Sequence, residues 1–149
     1  PRFHARLNAV CKTYRYRVWV SDQPCVFDRK YVYVCPGAYD LAAMRQAAET
    51  LLGSHDFLAF SANRPGKKST VRRLDALTIE KTGEELIFTL TGDGFLHHMV
   101  RILVGTLLEI GAGARPVSSI AEIFASGCRA NAGVTVPAQG LCLMEVQYH

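Results

Sequence analysis

The chain has 149 residues, 49% hydrophobic and 20% charged, which suits one domain with a real core and excludes a disordered, charge-dominated chain. A formal net charge of +4 admits an anionic partner without demanding one. The five cysteines, at 11, 25, 35, 128 and 142, contain no C-x-x-C pair; that excludes the usual zinc and redox spacings and reads as reduced thiols in a cytoplasmic protein.

No secretory leader is expected, because Pro1-Arg2-Phe3-His4 runs straight into an alternating pattern, and the missing initiator methionine reads as a piece of a longer chain. Residues 5–20 are predicted as a long strand, with Val10, Lys12, Tyr14, Tyr16 and Val18 on one face and Thr13, Arg15, Arg17 and Trp19 on the other. "KYVYVC" is a short strand ended by Pro36-Gly37. Asp40 caps a helix to about Leu52 with Leu41, Met44, Ala48, Leu51 and Leu52 on one face, and Gly53 stops it. "SHDFLAFSANRPGKKST" reads as a loop, and "TVRRLDALTIEKTGEELIFTLTG" as a hairpin turning around Thr82-Gly83. "GFLHHMVRILVGTLLEIG", residues 94–111, is an apolar helix with His97, His98 and Arg101 in its first two turns. A membrane span over 95–113 is rejected, because Arg101 and Glu109 would lie inside the bilayer. Ser118 caps a short helix to Phe124, and the loop "SGCRANAGVTVPAQG" leads into a last strand, "LCLMEVQYH".

Mixed strands and helices without βαβ regularity predict an α+β fold: an antiparallel sheet with helices packed on one face, residues 1–149 forming one unit. The other sheet face, bearing Arg, Lys and Tyr, suits RNA and equally suits plain solvation.

Arg101 is the anomaly. At 3.6 residues per turn it shares a stripe with His97, His98, Gly105 and Leu108 while most of the helix circumference is apolar. A guanidinium there either snorkels to the edge of the stripe or positions a carboxylate or phosphate.

The residues around it carry a resemblance. "FLHHMVRILVGTLLEIG" closely resembles the F-x-H-H-M-V-R-x-(I/L)-V-G motif of TruA-type tRNA pseudouridine synthases. "FHARLNAVCKTYRY", "AAETLLGSHDFLAF" and "AGVTVPAQGLCLMEVQY" resemble three further motifs of that family, in the family's order and across nearly the whole chain. The match covers the family's C-terminal half, and nothing here corresponds to the R-T-D-x-G-V-H-A segment that carries its catalytic aspartate.

The resemblance implies the C-terminal half of the pseudouridine synthase fold, and roles for single residues. Arg101 matches the arginine that pairs with the aspartate; an opposite charge so close lowers a carboxylate's pKa by roughly 1–3 units and keeps it ionised. Tyr14 matches the tyrosine that stacks on the target uracil and can take the C5 proton, although a cross-strand aromatic is the bland alternative. Leu141 matches a leucine lining the site floor; Cys142 stands where the family usually has tyrosine. His97 and His98 are substrate-binding candidates, as donors near a helix start. Arg64, Lys67, Lys68, Arg72 and Arg73 form a candidate track for the RNA backbone or, as readily, a solvated charge cluster.

The implied reaction isomerises uridine to pseudouridine at positions 38 to 40 of tRNA, with no cofactor and no metal, in a cytoplasmic homodimer whose partner is tRNA and not a membrane. The alternative is a non-catalytic RNA-binding module; a metabolic α+β protein indifferent to RNA ranks last. Arg73-Leu74-Asp75 imitates the R-L-D segment of other pseudouridine synthases, but in the matched family this stretch is a hairpin strand, so Asp75 is rejected as nucleophile.

Overall fold

The computed structural model describes residues 9–26, 29–66 and 68–148, and within them an α+β architecture of six strands and three α-helices. Strand β1 (Ala9–Trp19) runs through the middle of the sheet. One side of it pairs antiparallel with β5 (Glu85–Gly92), which pairs in turn with β4 (Val71–Thr82) and through it with β3 (Gly53–Asp56). Its other edge pairs with β6 (Leu141–Tyr148), antiparallel, along Ala9–Tyr16, and with β2 (Tyr33–Val34) further along, at Val18 and Trp19.

Two expectations are corrected here. The sheet is mixed, because β2 joins β1 in parallel; residues 20–32 supply the crossover of about a dozen residues that a parallel return needs. Part of the segment read as loop is ordered: residues 53–56 form β3 and Leu58–Phe60 a 3-10 turn, the strand being made by the exposed backbone of β4 rather than by any side-chain pattern.

The helices cover one sheet face. Leu86, Phe88 and Leu90 of β5 alternate into the core, as do Tyr16 and Val18 of β1. Leu74 and Leu77 of β4, three residues apart, both reach it because a register shift between Leu74 and Ala76 inserts an extra residue. Tyr14 and Tyr16 therefore turn toward the helices and are not on the uncovered face, where Arg17 pairs with Glu85.

Helix α1 (Leu41–Leu51) is capped as expected, Ala43 N–H donating to the Asp40 carboxylate at 3.1 Å. It buries Met44, Ala47, Ala48 and Leu51, while Leu52 lies past its end and is exposed. Helix α2 (Met99–Gly111) starts later than predicted, because His98 has φ +61° and cannot be a helical residue. His97 and His98 thus precede the helix. Helix α3 (Ser119–Ser126) starts without a side-chain cap from Ser118; backbone bonds from Ser119 to Pro116 and Ile120 to Val117 satisfy its first donors.

Every residue of α2 is buried except Arg101 and Glu109. Against this helix lies segment 132–137, which has no strand or helix of its own. The approach is close: a Cβ at Gly105 would stand 1.9 Å from the Val134 carbonyl oxygen. Gly105→Ala should therefore lower the unfolding free energy by about 1–3 kcal/mol in urea titration, the range for overpacking against backbone that has no room to yield.

Candidate active site

The N-terminal end of α2, the middle of β1 and the start of β6 enclose a cleft of about 290 Å³ lined by Tyr14, Phe95, His97, His98, Arg101 and Leu141, among others. Five of these are the residues singled out for catalysis or substrate binding, drawn from three stretches of chain far apart in sequence. Among the described residues that line it, the cleft has one guanidinium, two imidazoles and no carboxylate.

Each side chain has an identifiable support. The Tyr14 ring meets Phe95 edge to face, with centroids 5.1 Å apart and planes at 84°. Phe95, quoted within a motif but given no role from the sequence, so sets which way the tyrosine ring lies. Leu141, half-buried, opens β6 opposite Tyr16. Tyr16 itself is buried and its hydroxyl donates to the Pro137 carbonyl at 2.5 Å; burial raises its pKa, so it stays a donor at physiological pH.

Arg101 is half-buried. Its Nε donates to the Val136 carbonyl at 2.7 Å, and the Val136 N–H returns a long bond of 3.4 Å to the Arg101 carbonyl. Among the described residues it forms no ion pair, so the remaining guanidinium donors are available to an anion at the cleft. No feature of the sequence pointed to Val136, since the contact is made by its backbone.

The two histidines stack with ring centroids 3.8 Å apart. Their turn is fixed from outside: His97 N–H donates to the Asn63 side-chain oxygen at 2.8 Å, and Ala62 N–H donates to the His97 carbonyl at 2.9 Å. His97 is exposed and His98 half-buried. Desolvation lowers the pKa of His98 below its ordinary 6.5, with smaller contributions from His97 and Arg101.

The loop cations are dispersed. Arg64 and Lys68 are exposed in the loop that Asn63 ties to His97, and Arg72 lies over Gly94, its Nη1 donating to the Ser69 and Val71 carbonyls. Arg73 is paired with Asp75 at 2.7 Å. Lys67 lies outside the described residues. Asp75 sits exposed at the β4 register shift and does not line the cleft.

Two measurements probe this geometry. His98→Gly should raise stability by about 1 kcal/mol, because glycine relieves the left-handed backbone conformation, whereas His98→Ala should not. An NMR titration of His98 should give a midpoint below 6.5. Because the unfolded chain then binds more protons, the His98 contribution to stability is intact above about pH 6.5 and is lost as pH falls through the depressed value.

Comparison with known proteins gives the family. Residues 47–149 match the profile of the tRNA pseudouridine synthase family. A tRNA pseudouridine synthase A of Syntrophotalea carbinolica is 46% identical over 146 residues, covering 98% of this chain and 58% of the relative. One of Halalkalibacterium halodurans is 48% identical over 139 residues, covering 93% of this chain and 53% of the relative. The chain thus spans little more than half the length of these relatives. With the profile covering more than half of the chain, over the same stretch that supplies Arg101 and Leu141, the chain belongs to the tRNA pseudouridine synthase family.

Proposed function

We propose that these residues form the C-terminal half of a tRNA pseudouridine synthase site, which isomerises uridine in the anticodon arm once a nucleophilic aspartate is supplied from outside the 149 residues. The observation that carries this reading is the Arg101 guanidinium, held by a backbone carbonyl at the wall of a cleft that also presents Tyr14 and Leu141. A buried-edge guanidinium with donors to spare fits a planar carboxylate in bidentate fashion, and it favours the ionised form that attacks.

The other roles follow the chemistry. The reaction breaks the C1′–N1 bond, turns the uracil and forms C1′–C5; the C5 proton leaves and N1 gains one, so no oxidant or cofactor is required. Tyr14 would lie against the flipped base, its hydroxyl in reach of the C5 proton. Leu141 gives the floor an apolar wall, and His97 and His98 offer donors to the flanking nucleotide or its phosphate. Arg64, Lys68, Arg72 and Arg73 extend the positive surface toward the RNA backbone, Arg73 with its charge partly committed to Asp75. The parent enzyme is read as a cytoplasmic homodimer acting on tRNA.

The second reading, an RNA-binding module without catalysis, is favoured by one observation: the described cleft lining contains no carboxylate. Tritium release from tRNA labelled at uridine C5 separates the two. The chain alone should release none. Mixed with the part of the Syntrophotalea relative that this chain does not cover, where the proposal puts the aspartate, it should release tritium, and Arg101→Lys should slow that release by about 100-fold, since the ammonium misplaces the carboxylate. Silence of the mixture, with salt-sensitive tRNA binding retained, would leave the binding module.

A further inference from the structure

We propose that Glu109, two turns of helix away from the cleft, is a positioning residue for Arg101, acting through segment 132–137. The inference rests on the reading of Arg101 as the carboxylate's partner and adds a residue to that site.

The observation is a line of polar contacts along one side of α2. Arg101 and Glu109 are the two residues of this helix that are not buried. They are eight positions apart, about 12 Å along the axis and about 80° around it, at the two ends of the i, i+4, i+8 row that passes through Gly105. Between them lie Gly105, whose missing side chain admits the Val134 carbonyl, and buried Thr106. Segment 132–137 is fastened to this helix at three points: Gly133 N–H donates to the Thr106 hydroxyl at 2.9 Å, Val134 N–H to Glu109 Oε2 at 2.9 Å, and the Val136 carbonyl receives Arg101 Nε at 2.7 Å.

Glu109 is the anchor of this line. Its other oxygen is held by Arg115 Nη2 at 3.2 Å, and Arg115 Nη1 donates to the Asn131 carbonyl at 2.8 Å. The carboxylate therefore holds Val134 directly and, through Arg115, Asn131 just ahead of the segment. Position along the segment decides which carbonyl faces Arg101: a slip of one residue would replace the Val136 oxygen with a carbonyl pointing elsewhere. Leu or Ala at 109 would satisfy burial at least as well as a carboxylate, so packing alone gives no reason for the charge.

The test uses the whole 149-residue chain and the Arg101 Nε–H resonance. In Glu109→Ala that hydrogen should exchange with solvent about tenfold faster, the loss expected for one hydrogen bond. Glu109→Gln, which keeps an acceptor for Val134 N–H, should stay near the parent value, and Thr106→Ser should as well. Unchanged Nε–H exchange in Glu109→Ala, with only the unfolding midpoint lowered, would overturn the proposal and leave Glu109 a structural residue. Should Glu109→Ala fail to fold, Arg115→Met, which removes the outer partner, should still speed the exchange, and unchanged exchange there would be equally fatal. In the mixture with that part of the Syntrophotalea relative, Glu109→Ala should lower kcat by about 10- to 100-fold with KM held, the scale seen when the support of a functional group is removed. If the unsubstituted mixture releases no tritium, the catalytic reading fails while the Nε–H result still decides this one.

Discussion

The Val134 carbonyl oxygen occupies the space that a side chain at position 105 would fill, and much of the molecule is arranged around that contact. Packing backbone directly on a helix brings polar groups into a buried place, where each needs a partner. The buried hydroxyl of Thr106 is one: it donates to the Ile102 carbonyl at 2.8 Å within the helix and accepts from Gly133 N–H. Gly133 is required for the same reason, since a Cβ there would stand 2.7 Å from Thr106 backbone atoms. From the sheet side Tyr16 reaches the next turn of the segment at Pro137. Segment 132–137 is irregular in conformation and yet held from two directions.

That arrangement explains how an apolar helix tolerates two charges. A lone guanidinium among valines and leucines would be costly. Here Arg101 stands at the first turn, at the cleft, with one donor committed to a carbonyl, and Glu109 stands at the far end with Arg115 beside it. Neither is part of the core that α2 shares with β1 and α1. The charges sit on the side covered by segment 132–137, where backbone donors and acceptors are available, while the rest of the circumference remains apolar.

The cleft shows strain of a related kind. His98 is the one non-glycine residue among those described with positive φ, and its carbonyl still accepts the Ile102 N–H at 3.0 Å. Such a backbone conformation persists where surroundings impose it. Asn63 and Ala62 do so by gripping His97, which places both imidazoles beside Arg101 and not on the helix stripe. The local positive charge is one reason that His98 resists protonation, after desolvation.

Hydrophobic alternation by itself determined β1, β4 and β5, because a sheet covered on one face forces a period of two, and the Asp40 cap and glycine stops located α1. The four motifs determined the family, and with it the proximity of Tyr14, Arg101 and Leu141. Contacts made by backbone or by residues distant in sequence were decided only by the tertiary structure. The strand in "KYVYVC" was legible but its parallel pairing with β1 was not, and β3 exists because β4 offers it an edge, with no side-chain signature of its own. The helix could not be seen to begin at Met99, since nothing in "HHM" shows that Asn63 would bend the chain before it. Nor could the Val136 carbonyl be found from side chains: every residue has a carbonyl, and only the fold selects the one that meets Arg101.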